Sequence, residues 1–191
     1  MGRRDTRQRI VDGCLLLFGE KGCRFTVTEL EETLGISRRT IYKHFACKED
    51  ILIELLDQTT QQIRKRQEEI VGDETLSVPQ KLVKVMTVET KQEQIIQVDK
   101  LYQLQVYYPK VYEYFLGVYD EGWGFVKELL RRGREQGIFK PYNEELIKTI
   151  LRDEMLMLCS KDFLEKTGMI YREALQQMIQ IILDGILIVK E

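Results

Sequence analysis

Residues 26–50 constrain this chain more than any other stretch, because they spell two short helices folded about a single glycine. Thr26 and Glu29 have the spacing of a capping box, in which the hydroxyl accepts from the amide three residues on and the carboxylate accepts from the amide of the cap. Val27, Leu30 and Leu34 then recur at helical spacing along one apolar stripe. Gly35 follows, a residue type that reaches positive φ without a Cβ clash, so the helix ends there. Ser37 is a favoured N-cap for a second helix, on which Arg38, Arg39, Thr40, Tyr42, Lys43 and His44 surround the apolar pair Ile41 and Phe45. A helix anchored at two positions keeps its first turn free to touch something else.

The chemistry of that free turn suits double-stranded DNA. Arg38 and Arg39 carry planar forks that can bond bidentately to guanine O6 and N7, the most frequent specific contact in the major groove. Thr26, Thr28, Ser37, Thr40, Tyr42, Lys43, His44 and Lys48 complete the expected contact set, mostly as donors to phosphate oxygens that set register. Lys48 would also open the next helix, whose N-terminal amides favour an anion. Taken singly, each of these residues fits an ordinary solvated helix face or a core aromatic. Together, at this spacing, they favour DNA.

The stretch resembles the DNA-binding head of the tetracycline-repressor (TetR) family of bacterial one-component regulators. Thr26-Val27, Leu30, Leu34-Gly35-Ile36-Ser37, Thr40-Ile41-Tyr42, His44-Phe45 and Lys48-Glu49 stand in the family's order. The match is specific over roughly the first quarter of the chain and only architectural beyond about residue 56. Two positions depart from the pattern. Glu31 stands where such motifs place alanine for close helix approach, and Arg39 stands where the family often has a small residue. The resemblance implies an all-α protein: a three-helix helix-turn-helix head at 1–50 and a helical ligand-binding and dimerisation domain at 51–191.

Charge is informative only locally. The whole chain carries −2, but residues 1–50 hold ten Lys or Arg against eight Asp or Glu. Arg3, Arg4, Arg7 and Arg9 form a basic arm that reads equally as a backbone or minor-groove contact and as a solvated terminus. A composition 43% hydrophobic and 31% charged is that of a globular chain, with no apolar run long enough to span a bilayer and no signal-peptide start. A cytoplasmic location, without membrane partners, is the expectation. Cys14, Cys23, Cys47 and Cys159 include no CxxC pair, and the one histidine, His44, belongs to the recognition helix. Neither a metal nor a cofactor is expected. Cys14 lies on the apolar face of the first helix as a structural thiol. Cys47, at a helix start, is the redox candidate against a bland loop role.

The remainder reads as helix throughout. A first helix at about residues 4–20 braces the head, and a long one from Lys48 to a break at Gly72-Asp73 is the natural lever into the second domain. Ser77 with Pro79 starts another helix, and Tyr108-Pro109 must bend or end one. Between residues 95 and 125, Tyr102, Tyr107, Tyr108, Tyr112, Tyr114, Phe115, Tyr119, Trp123 and Phe125 crowd around Gly117, Gly122 and Gly124. Such walls suit either core packing or a mostly apolar small-molecule site, for which Met86, Tyr102, Tyr119, Trp123 and Met155 are the candidate lining. Asn143 caps a helix after Gly137 has ended its predecessor, and the last helix, about Tyr171–Val189, is apolar nearly all round. A second copy of the chain is the economical cover for that surface, through Ile150, Leu151, Leu158, Leu175, Met178, Ile179, Ile182 and Ile186.

The parts combine into a homodimeric transcriptional repressor that binds a pseudo-palindromic operator, and the resemblance implies that it is ligand-responsive and released by a small-molecule effector. A helical dimer acting through a protein partner without ligand control is the alternative. An enzyme is the weaker one, since no nucleophile elbow, phosphate loop or paired catalytic carboxylates stand out.

Overall fold

A computed structural model of the chain describes residues 5–88, 98–158 and 161–188, leaving aside the side chains of Val98, Asp99, Tyr102, Tyr119, Leu156, Lys161, Asp162 and Leu164. The described residues form helices α1 (Thr6–Lys21), α2 (Val27–Leu34), α3 (Arg38–Tyr42), α4 (Lys48–Gly72), α5 (Val78–Met86), α6 (Val98–Tyr107), α7 (Pro109–Glu135), α8 (Glu144–Leu158), α9 (Lys161–Thr167) and α10 (Tyr171–Ile186), with one 3-10 turn at Gly22–Arg24. The fold is all-α, and its punctuation follows local chemistry. Thr26 and Glu29 make the capping box of α2, and Ser77 and Gln80 make another at α5 with proline in its first turn. Asn143 Oδ1 accepts from the Leu146 amide at 3.0 Å at the start of α8. Gly35, Gly137 and Gly168 stand at positive φ between helices.

The chain divides into two compact units, Met1–Gln62 with Glu89–Tyr119 and Ile63–Val88 with Asp120–Glu191. The core of the first unit gathers Ile10, Cys14, Phe18, Phe25, Leu30 and Ile41, and it draws Ile51, Leu52, Leu55 and Leu56 from α4 and Leu104 and Val111 from α6 and α7. The head therefore extends past the expected boundary at residues 50/51. A three-helix head of that size buries little apolar surface by itself, and these extra side chains enlarge its core.

The second unit has its own core, with Leu82, Val85, Trp123, Val126, Leu129, Leu130, Phe139, Leu151, Leu175, Ile179 and Leu183 at its centre. Its last segment departs from the expected helix to Val189. α10 ends at Ile186, and Leu187 pairs with Phe139 in an isolated antiparallel bridge. Lys140 N–H donates to Ile186 C=O at 2.7 Å and Ile188 N–H to Ile138 C=O at 2.9 Å. That pairing satisfies backbone groups which the helix end would otherwise leave open.

Candidate nucleic-acid interface

The helix-turn-helix is assembled by caps on both of its helices. Thr26 Oγ1 accepts from the Glu29 amide at 3.2 Å, and the Thr26 amide donates to Glu29 Oε2 at 2.6 Å. Lys21 Nζ donates to the other oxygen of the same carboxylate at 2.6 Å, and these bonds hold the Glu29 carboxyl down at about 2. Gly35 then takes the left-handed conformation at φ 63°, and its amide donates to Glu31 C=O at 2.8 Å. Ser37 Oγ accepts from the Thr40 amide at 3.3 Å and lies 3.0 Å from Thr40 Oγ1. Glu31, whose bulk threatened close approach of α2 and α3, accepts a hydrogen bond from the Arg38 amide. A carboxylate in that place satisfies a free donor of α3 and stands at the favourable end of its dipole.

Ile41 is fully buried and Phe45 nearly so, which fixes α3 by its inner face. Arg38, Arg39, Tyr42 and Lys43 are exposed on the opposite side, with Thr28 and Ser37, while Thr40 and His44 are half-buried. The Arg38 guanidinium stands 5.8 Å from the centre of the Tyr42 ring. Among the described residues neither Arg38 nor Arg39 has an ion-pair partner, so both forks are available to an outside acceptor.

Three cations named in the sequence are turned to other work. Lys48 Nζ donates to the carbonyls of Cys23, at 2.6 Å, and Phe25, and to the Tyr108 hydroxyl at 3.0 Å. An ammonium has three donors, and all three are occupied within the protein, so in this conformation Lys48 is an internal tie rather than a phosphate contact. Arg7 is likewise not a free arm. Its guanidinium donates to His44 C=O at 2.8 Å and Glu54 Oε2 at 2.5 Å and stacks 4.1 Å from the centre of the Phe45 ring. Arg9 reaches Leu34 C=O at 3.2 Å. Both arginines brace the turn and helices around α3, while Arg3 and Arg4 lie outside the described residues. Burial pushes the Cys14 thiol up to about 12, and the Cys47 thiol is raised too, chiefly by desolvation, which favours the plain loop role over the redox one. Cys159 lies outside the described residues.

Residues 10–55 match the model of the tetR family of bacterial regulatory proteins, and that segment holds the capped helix pair described above. That stretch of the chain is similar to the TetR family. Over its length the chain is 21% identical to the HTH-type transcriptional regulator YvaF of Bacillus subtilis (strain 168), covering 94% of each protein. The same fold occurs in a transcriptional regulator from Saccharomonospora viridis in complex with choline, with a TM-score of 0.79, 21% identity and coverage of 98% of this chain and 100% of that one. It occurs also in the regulator FadR from Bacillus subtilis in complex with stearoyl-CoA, with a TM-score of 0.72, 16% identity and coverage of 93% and 98%.

Of the candidate effector residues, the second unit brings together Met86, Trp123 and Met155. Trp123 is buried in the core, and Met86 and Met155 pack partly buried against it, whereas the side chains of Tyr102 and Tyr119 lie outside the described residues. The aromatic run does not form one wall. Tyr108, Tyr112, Tyr114 and Phe115 pack against the core of the first unit, where Tyr114 donates to Asp57, and Trp123 and Phe125 belong to the second.

The expected dimer contacts are divided as well. Leu151, Leu158, Leu175, Ile179 and Ile186 are buried within the single chain, so they cannot meet another copy directly; Met178 and Ile182 are half-buried. Ile150 stays exposed, and with it Leu146 at 58%, Met157 at 42% and Ile181 at 72%. Periodicity identified the last helix as apolar nearly all round. It did not say which stripes α8 and α10 would spend on their own core.

Proposed function

We propose that the chain is a homodimeric, ligand-responsive transcriptional repressor that reads a pseudo-palindromic operator with α3 in the major groove. The observation that carries this reading is the pair of exposed guanidinium groups, Arg38 and Arg39, at the first turn of a helix anchored by Ile41 and Phe45. Thr28, Ser37, Thr40, Tyr42, Lys43 and His44 surround them with groups suited to phosphate. Twofold symmetry then pairs two heads on half-sites about one helical turn apart or slightly more. A small organic effector, bound in the second unit near Trp123, Met86 and Met155, favours the DNA-incompetent spacing of the heads and so releases the operator. The choline and stearoyl-CoA complexes of the two fold relatives support an organic effector for this chain.

The test is binding of the purified protein to the DNA upstream of its own gene, compared with random DNA by fluorescence anisotropy. Arg38→Ala or Arg39→Ala is expected to lose roughly 1–3 kcal/mol on the operator and to relax specificity at one base pair, with a smaller loss on random DNA. Equal losses on both would remove the base-reading role. A thermal-shift screen of metabolites, followed by release of bound DNA by any hit, tests the effector.

A further inference from the structure

The three bonds of Lys48 join parts of the first unit that are distant in sequence. Cys23 and Phe25 belong to the strap that leads from the 3-10 turn Gly22–Arg24 into Thr26, the cap of α2, so the point that holds their carbonyls determines where α2 begins. Tyr108 is the single residue between α6, which ends at Tyr107, and α7, which begins at Pro109. Its ring centre lies 4.9 Å from the same ammonium, and that of Phe25 lies 3.9 Å away, adding cation–π attraction to the hydrogen bonds. A second lysine strengthens the attachment: Lys100 of α6 donates to Gly19 C=O and, at 3.4 Å, to Glu20 C=O near the end of α1. On either side of the corner, Leu104 and Val111 are buried in the core of the head. The α6–α7 corner is therefore fastened to the backbone that positions the helix-turn-helix.

We propose that Lys48 and Tyr108 are positioning residues, and that their contact is the joint through which the α6–α7 corner sets the position of α2 and, through it, of α3. The proposal rests on the effector-responsive reading above, since it supplies that reading with its connection inside the head. The chemistry favours a joint over a static tie. The Tyr108 hydroxyl is the only one of the three acceptors carried by the corner, so a shift of the corner removes one bond while the two strap carbonyls remain with Lys48.

Full-length wild type, Tyr108→Phe, Lys48→Met and the double variant distinguish the possibilities by two measurements. The first is amide hydrogen exchange, which needs neither DNA nor effector. Tyr108→Phe is expected to speed exchange in the first turn of α2, at the hydrogen-bonded amides of Glu29 and Leu30, by about tenfold, consistent with loss of a hydrogen bond to a charged group, while α10 amides keep their wild-type rates. The second is affinity for the upstream DNA across a salt series. Tyr108→Phe is expected to lose about tenfold and Lys48→Met, which also frees the two strap carbonyls, at least as much, neither changing the slope of log K against log salt, and the double variant is expected to be no worse than Lys48→Met alone, because the Tyr108 hydroxyl acts through that ammonium. Unchanged exchange in Tyr108→Phe overturns the joint, as do additive losses. A Lys48→Met slope shallower by about 0.9, with Tyr108→Phe binding like wild type, also overturns it and makes Lys48 a phosphate contact. If wild type binds neither DNA, the regulator reading fails, and the exchange measurement still decides whether the two residues hold α2.

Discussion

Glu29 shows how one exposed side chain serves several neighbours. Its carboxylate accepts from Lys21 and from the backbone and side chain of Thr26, and these partners favour the ionised form strongly enough to bring it from an ordinary 4.5 to about 2. A carboxyl held lower in the folded protein contributes stability that is complete above the ordinary value and is lost as pH falls through about 2. The expected outcome is a cap on α2 that loosens progressively between about pH 4.5 and 2, read as faster exchange of the first-turn amides. Glu29→Gln should remove that pH dependence in this window. A wild-type profile that stays flat across it would show that the cap does not depend on the charge.

At the scale of an element, α7 illustrates how a glycine can be required by its neighbour rather than by its own backbone. Gly133 lies within the helix, and a methyl group built on it would overlap the ring of Phe139. Phe139 is buried and belongs to the residue pair that forms the antiparallel bridge to Leu187, so the ring has little freedom to move aside. Gly133→Ala, which improves helix propensity by about 1 kcal/mol, is nevertheless expected to destabilise the protein by roughly 1–3 kcal/mol through overpacking. Chemical denaturation provides the measurement, and a variant more stable than wild type would mean that Phe139 repacks without cost. By contrast, Gly117, Gly122 and Gly124 face open space.

For the whole molecule, the decisive prediction concerns α8 and α10. Leu146, Ile150 and Met157 share one side of α8, and Ile181 projects from α10 away from the buried stripe of Leu175, Ile179 and Leu183. Replacing Ile181 with glutamate removes little burial from the single chain, since the side chain is 72% exposed. It should instead place an unpaired charge in the proposed interface. Light scattering is expected to report a single subunit of 22.6 kDa for Ile181→Glu, against twice that mass for wild type. Operator affinity should fall by about a hundredfold or more, because two linked heads bind with far greater effect than one. A variant that remains dimeric would move the interface elsewhere.

Local chemistry made much of this protein legible before any tertiary contact was known. The Thr26–Glu29 box, the turn at Gly35, the Ser37 cap, the break at Tyr108-Pro109 and the Asn143 cap depend on residues a few positions apart, so their spacing carries the information. The outward face of α3 was readable for the same reason, since Ile41 and Phe45 leave only one way for the helix to sit. Tertiary structure alone decided the matters that depend on partners far along the chain. It turned Lys48 inward to Cys23, Phe25 and Tyr108, made Arg7 a brace against Glu54 and Phe45, divided the aromatic run between two cores, and chose which apolar stripes of α8 and α10 to bury. The physical reason is common to all four. A cation or an apolar face states what kind of partner it needs, whereas three-dimensional packing determines which available partner it meets.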